Sequence, residues 1–348
     1  MTKIFVNGYG NIGRRLASAI AQDKDIQFLG VGKYSIDEHV NEVVAKNFPL
    51  YVPDNMILKF KNAGFPVAGS IKDAVTECDI VIDASKDGLG FSNKIEIYEP
   101  LDKPAIFQGG EDRTGGKRVA DVIHNSRVNY DMMFGSKYVI QGSCNVSGIG
   151  RIVQPMIEKY KSDIERFDIT LIRRWADLED KKTVKDSIEW DKNPHHQDDV
   201  KSFIPKIKLY IEAYKVPSRM MHVHQLTVRF KDSAPNIETF LDIYKNEFGV
   251  AILGNVTGTG DIRMKALDLG FEHGDTNMVH IHSDTFRRQD DTIKILYSDD
   301  QTGMVIPENH LLLQSLLYKR PLHEAYSRTD SIFGIQKKRQ ILESEFKR

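Results

Sequence analysis

Lys3-Ile4-Phe5-Val6-Asn7, running straight into Gly8-Tyr9-Gly10-Asn11-Ile12-Gly13, is the stretch that decides the fold. The apolar run predicts a short buried strand. Leu16, Ala17, Ala19 and Ile20 then mark the apolar side of a helix. Strand, G-x-G-x-x-G and helix in that order form the dinucleotide-binding fingerprint. Gly8 allows the tight turn, Gly10 lets the backbone approach a pyrophosphate, and Gly13 lets the helix pack on the strand. Glycine triplets also occur in ordinary turns, so the flanking strand and helix are what make the signal specific.

Moving outward, a second strand over 26–31 ends in Gly32-Lys33-Tyr34-Ser35. An acidic residue there would bind the adenosine ribose hydroxyls; a lysine suits a 2′-phosphate instead. Lys33 therefore favours NADP over NAD, with Tyr34 placed to lie against the adenine. The competing reading makes Lys33 a solvated loop charge and gives the acidic role to Asp37 or Glu38. Further strand-then-helix units follow: a helix over 38–48, a strand over 67–70 with a helix to 77, and a strand over 79–84 followed by Gly88 and Gly90. Ala105-Ile106-Phe107 then leads into Gln108-Gly109-Gly110-Glu111. This succession predicts an α/β, Rossmann-type, doubly wound parallel sheet over 1–140.

Ser143-Cys144-Asn145-Val146-Ser147-Gly148 lies between the apolar residues Tyr138, Val139 and Ile140 and a helical pattern through Ile149, Ile152, Val153 and Met156. Cys144 thus falls at a strand-to-helix turn, where unpaired amides and the helix dipole favour a thiolate and can hold an oxyanion. A small buried hydrophobe is the competing reading. Beyond it, the segment over 167–172 alternates like a strand and ends in Arg173-Arg174, either a bidentate phosphate site or a pair of solubilising edge charges. A polar loop over 178–192 precedes His195-His196, with Asp198 and Asp199 close behind. Adjacent loop residues rarely supply a tetrahedral metal set, so no metal is expected and anion recognition is preferred. Met221-His222-Val223-His224 alternates, placing both histidines on one face. That face presents an imidazole to Cys144, or it is a solvated sheet surface.

These alternating segments describe an α+β second domain over 141–303 with a mainly antiparallel sheet. A helix over about 304–335, opened by Val305-Ile306-Pro307-Glu308-Asn309, is expected to return to the first domain, leaving a charged, frayed tail over 336–348. The 348 residues suit two domains, and the net charge of −1 argues against nucleic acid or an anionic membrane as partner. No apolar run is long enough to cross a membrane, and no signal-peptide pattern opens the chain. Two cysteines cannot build a disulfide framework, which fits a reducing cytoplasm. Cys78 reads as a packing residue.

In this order and spacing, the motifs resemble the archaeal-type (class II) glyceraldehyde-3-phosphate dehydrogenase family over nearly the whole chain. The residues carrying the resemblance are Val6 to Gly13, Lys33, Ala105 to Glu111, Ser143-Cys144-Asn145, Arg173-Arg174, His195-His196, Met221 to His224 and Ile306-Pro307-Glu308-Asn309. The resemblance implies that Cys144 is the nucleophile and His222 the general base. Ser143, Asn145, His195 and His196 would contact a phosphorylated aldehyde, and Ser147 and Arg173 join them as anion donors. Asn11, Ile12, Gly110, Arg174 and Gln301 would serve the nucleotide, with Lys33 at the 2′-phosphate. The implied reaction is phosphorylating oxidation of glyceraldehyde 3-phosphate with NAD(P) and inorganic phosphate, in a homotetramer. The chain departs from the family's S-C-N-T-T at Val146, from its H-Q-E-S at Asp300-Gln301-Thr302-Gly303, and from a small residue at Trp175. The rival readings are a semialdehyde or acyl-phosphate reductase and a non-catalytic nucleotide-sensing protein.

Overall fold

The computed structural model describes residues 1–347; Arg348, the end of the expected tail, lies outside the described residues. Among them the strands form two sheets, and the chain divides into two compact units. The first comprises Met1–His124, Asp131–Ser143 and Asn309–Ala325. It alternates β1 (Thr2–Asn7), α1 (Asn11–Ile20), β2 (Ile26–Gly32), α2 (Glu38–Ala45), β3 (Leu50–Val52), α3 (Ile57–Asn62), β4 (Val67–Ser70), α4 (Ile71–Glu77), β5 (Ile80–Asp83) and α5 (Leu89–Asn93). β6 (Ala105–Gln108), β7 (Ile123–His124) and β8 (Tyr138–Gln141) complete it. The order is β4-β3-β2-β1-β5-β6-β8-β7, with every pairing parallel. Ile4, Phe5, Val6, Val81, Ile82, Ile106 and Phe107 are buried, as a parallel sheet covered on both faces requires. The chain reverses its winding between β1 and β5, the switch point at which such sheets bind ligands.

The second unit comprises Asn125–Tyr130, Cys144–Glu308 and Tyr326–Arg348. It begins with α6 (Cys144–Tyr160), β9 (Ile164–Arg174), β10 (Glu189–Asp191), α7 (His196–Phe203), β11 (Leu209–Val216) and β12 (His222–Phe230). There follow α8 (Ile237–Asp242), β13 (Val250–Leu253), α9 (Thr259–Asp268), β14 (Val279–Gln289) and β15 (Thr292–Asp299). The sheet order is β10-β11-β9-β12-β15-β14-β13, antiparallel except at β11–β9 and β13–β14. The α/β class with a mainly antiparallel second sheet is as expected. The expected polar loop over 178–192 contains an exposed edge strand, β10.

Two expectations for the C-terminal region are corrected. Residues 304–335 form two helices, α10 (Val305–Tyr318) and α11 (Leu322–Phe333), because Pro321 lacks the N–H needed to continue the first. Of these, only Asn309–Ala325 cluster with the first unit. The tail is not frayed over its length: Ile335–Glu345 form a helix, α12. Its Ile335 and Leu342 are buried, Arg339 Nη2 donates to the Tyr244 carbonyl at 3.2 Å, and Glu343 accepts from the Ile252 amide at 2.9 Å. A charged sequence here covers β13 with its apolar stripe and binds backbone with its charges.

Candidate active site

The glycine-rich turn of the first unit has the shape its sequence predicts. Gly8 has φ +121°, and a Cβ there would strike the Ala84 carbonyl beyond β5. A Cβ at Gly13 would strike the Gly8 carbonyl, while Gly10 faces open space. Helix α1 starts at Asn11, with Ile12 in its first turn and no side chain capping it. Such an end suits a pyrophosphate. Gly110 has φ +125° just past β6.

Lys33 is not a solvated charge. It is buried, and its Nζ donates to Asp37 Oδ2 at 2.6 Å. Asp37 also caps α2 through the His39 amide. Burial alone would raise the Asp37 carboxyl, but Lys33 outweighs it and holds the group below its usual range. Tyr34 is less available than expected, because its hydroxyl is turned inward: Asn7 Nδ2 donates to it at 2.9 Å, and it donates to Asn93 Oδ1 at 3.2 Å.

In the second unit Cys144 is the first residue of α6 and is half-buried. The sequence leads one to expect a thiol lowered by the helix end, and the structure corrects this. Desolvation pushes the thiol up to about 12 and the Asp299 carboxyl adds to it; Arg174 and the Asn145 amide pull the other way. His222 and His224 share a face of β12, and both are buried, which removes the solvated-face reading. His222 Nδ1 accepts from the Arg174 amide at 3.1 Å, so the neutral ring carries its proton on Nε2. Burial, with Arg174 and His224 adding, holds His222 well below the usual imidazole range. His224 Nε2 lies 2.9 Å from Asn145 Oδ1, so Asn145 fixes that ring. Burial holds His224 at about 3.

Arg174 pairs with Asp177, and Arg173 lies 3.7 Å from Asp191. The rings of His195 and His196 stack at 4.2 Å. His195 is exposed and held above the usual imidazole range by Asp199, 2.6 Å away; His196 is buried and depressed to about 2 by desolvation. Arg173 bears electrostatically on both histidines and on His222 and His224, which places a cationic arginine near three depressed imidazoles, His196, His222 and His224, and beside the raised His195. Ser147 is fully buried inside α6, whereas Ser143 ends the last segment before α6 and is partly exposed. Gln301 is buried, and no hydrogen bond reaches its Oε1. Trp175 sits between Lys185 and Lys215, with each ammonium 5.2–5.4 Å from its ring.

Compared with known proteins, the chain is 33% identical over 316 residues to a glyceraldehyde-3-phosphate dehydrogenase of Saccharolobus islandicus (strain L.S.2.15 / Lassen #1), covering 89% of this chain and 91% of that one. It is 31% identical over 340 residues to a protein of the same name from Pyrobaculum calidifontis, covering 95% and 96%. The protein of that name from Pyrobaculum arsenaticum is 32% identical over the same coverage. The chain belongs to the archaeal-type glyceraldehyde-3-phosphate dehydrogenase family. No protein-family profile matches it.

Two features of this dehydrogenase went unread in its sequence. Asp300, where the family resemblance expects histidine, accepts from the Thr276 and Asn277 amides at 2.7 and 2.9 Å and pairs with buried Arg263 at 3.1 Å. The departure at Asp300-Gln301-Thr302-Gly303 is therefore built into a local ion cluster. Asp299, one residue earlier, is fully buried beside Cys144 and His224. A signal for it existed: Ile293, Ile295, Tyr297 and Asp299 share one parity of β15, and the first three are core residues.

Proposed function

We propose that this chain catalyses the reversible phosphorylating oxidation of D-glyceraldehyde 3-phosphate to 1,3-bisphosphoglycerate with NAD(P) and inorganic phosphate, through a thioester on Cys144. The observation that carries the reading is Cys144 at the start of α6, with the charges of Arg174 and Asp177 bearing on its thiol and the buried His222 joined to the Arg174 amide. Cys144 Sγ attacks the aldehyde carbon with His222 as the proposed general base, a role it fills with Nε2 unprotonated; in the tautomer that the Arg174 amide favours, its Nε2–H is a donor for the carbonyl oxygen as it gains charge. Arg173, Arg174, His195 and His196 supply cationic and neutral donors for the two phosphate groups that the reaction handles. A bound nicotinamide supplies the two-electron oxidising power.

In this reading residues 1–140, with the returning helix, hold the nucleotide, and residues 141–303 carry the chemistry. Gly8, Gly10, Gly13, Asn11, Ile12 and Gly110 are proposed as the nucleotide cradle, and Arg174 and Gln301 are proposed as further nucleotide contacts on the strength of the family resemblance. Lys33 supports NADP as the preferred cofactor, since it places a cation at the end of β2 where a carboxylate would otherwise bind ribose. The protein is proposed to work as a homotetramer in the cytoplasm; no helix among the described residues is long and apolar enough to cross a membrane.

The test is a spectrophotometric assay with glyceraldehyde 3-phosphate, with and without inorganic phosphate, using NADP and NAD separately. Phosphate-dependent nucleotide reduction supports the proposal. Activity indifferent to phosphate would make the enzyme a hydrolytic dehydrogenase and overturn it.

A further inference from the structure

The second unit holds a cavity of about 280 Å³ that none of the proposed catalytic or nucleotide residues lines. It lies where two helix-to-strand connections run side by side. Helix α6 ends at Tyr160 and the chain enters β9 at Ile164; α7 ends at Phe203 and the chain enters β11 at Leu209. β9 and β11 are parallel neighbours, and the Phe167 amide donates to the Lys208 carbonyl at 2.9 Å, so both strands begin at one end of the sheet. The Ile207 amide donates to the Ile204 carbonyl at 3.1 Å, which closes the second connection into a turn. Strand β12 finishes at the same end, where the Lys231 amide donates to the Asp163 carbonyl at 2.8 Å.

Two kinds of residue line this cavity. Ile157, Ile164, Phe167, Ile204 and Ile207 supply apolar surface, with Phe167 and Ile207 buried and the others half-buried. Lys161, Arg166, Lys206, Lys208 and Lys231 supply cations, against one lining carboxylate, Glu165. The Arg166 charge is already met by Asp168 at 3.0 Å, and its guanidinium lies 5.6 Å from the Tyr210 ring. Among the described residues no carboxylate pairs with the other four ammonium groups. Elsewhere such pairing is common, as at Lys3–Glu77, Lys46–Glu42, Lys245–Asp242 and Lys265–Glu345. The chain as a whole carries a net charge of −1, so the local excess belongs to this cavity and not to the surface in general. Cations of one sign around a low-dielectric wall focus a field that draws anions.

We propose that this cavity is a second ligand site, for a small organic phosphate whose apolar body covers the isoleucines and Phe167 while Lys161, Lys206, Lys208 and Lys231 hold its phosphate. Inorganic phosphate would answer only the lysines, and a neutral hydrophobe only the apolar wall. The volume sits at the lower end of small-molecule pockets, about 300–1,000 Å³, which suits a body of one or two rings. The ligand is neither the aldehyde nor the nucleotide, because the elements that line the cavity carry the proposed catalytic residues at their opposite ends. Helix α6 starts at Cys144, β9 ends at Arg174, α7 starts at His196 and β12 starts at His222. Along α6, Ile157 lies about 20 Å beyond Cys144 at the helical rise per residue. The inference stands apart from the thioester reading above.

The test titrates the full-length protein with 1-naphthyl phosphate, followed by the fluorescence of the naphthyl ring. 1-Naphthol is titrated in the same way, and inorganic phosphate is added as a competitor. Saturable binding with Kd below about 1 mM is expected, with 1-naphthol and inorganic phosphate each about 10-fold weaker or more. Saturating oxidised nucleotide and saturating glyceraldehyde 3-phosphate should each leave the probe bound. The double variant Lys206→Gln with Lys231→Gln should weaken it by about 10-fold. Both lysines are exposed, so the urea unfolding midpoint of that variant should match wild type and serves as the check on folding. No saturable binding, equal affinity in the double variant, 1-naphthol binding as tightly as its phosphate, or full displacement by nucleotide or aldehyde would overturn the proposal.

Discussion

Single residues set the chemistry, and several of them can be tested alone. Gly8 is held at φ +121° against the Ala84 carbonyl, so Gly8→Ala both strains the backbone and forces the turn after β1 away from the end of β5. A stability loss of about 1–3 kcal/mol is expected, with nucleotide binding lost beyond what that loss explains. Urea unfolding and nucleotide titration on the same variant check this, and normal binding would contradict the cradle. Lys33→Met should lower kcat/KM with NADP by about 10-fold or more and leave NAD nearly unchanged, the loss of one charge-assisted contact. Equal losses with both cofactors would show that Lys33 serves Asp37 and α2 instead. The glycines, Lys33 and Cys144 were legible because each has a fixed place in a short local pattern. The ionisation of Cys144 was not legible. The helix end was visible in the sequence, but the desolvation and the Asp299 carboxyl that outweigh it come from elsewhere in the chain.

At the scale of elements, the Pro307-Glu308-Asn309 stretch turns out to be a pair of anchors. Glu308 is fully buried and accepts from Arg151 Nε at 2.6 Å and from the Ser126 hydroxyl at 3.0 Å. Asn309 and Gln108 exchange paired amide hydrogen bonds at 2.9 and 3.0 Å. The pair Arg151–Glu308 joins α6 to α10 in the dry interior, where removing one partner strands the other charge. Arg151→Met should therefore cost about 3–5 kcal/mol, and adding Glu308→Gln should recover part of it. A single variant within about 0.5 kcal/mol of wild type in urea unfolding would contradict this role. The sequence showed where these helices begin, yet it hid what they grip. It also concealed α12, whose apolar residues Ile335 and Leu342 are sparse among charges. Strand β13 went unread because a four-residue apolar run such as Val250–Leu253 does not declare its partner.

The whole molecule carries an acid-sensitive set of buried histidines. Desolvation depresses His196, His224, His280 and His282 to between about 2 and about 4, and His222 falls well below its usual range. Each is neutral when folded and becomes protonated when unfolded below about pH 6.5. Unfolding then takes up protons, so their contribution is fully present above about pH 6.5 and is lost as pH falls, by up to about 1.4 kcal/mol per pH unit for each ring. Asp299, raised by burial, works in the opposite sense: its contribution is present at low pH and is lost as pH rises toward its folded value. The histidines outnumber it, so the unfolding midpoint should drop steadily between about pH 6.5 and about pH 5. A flat or rising midpoint over that range would contradict the burial of these rings. The two-sheet architecture was readable from the change in hydrophobic period between the halves. The buried histidine set was not, because alternation gives the face of a strand and not what covers it.

The central claim is that an acyl group rests on Cys144 sulfur until phosphate removes it. The measurement that tests it most directly is peptide mass spectrometry after rapid mixing of the enzyme with glyceraldehyde 3-phosphate and oxidised nucleotide, with phosphate left out. The account predicts a phosphoglyceryl adduct on the Cys144 peptide that disappears when phosphate is added, together with release of the acyl phosphate. Turnover without any adduct on Cys144, or an adduct indifferent to phosphate, would contradict it.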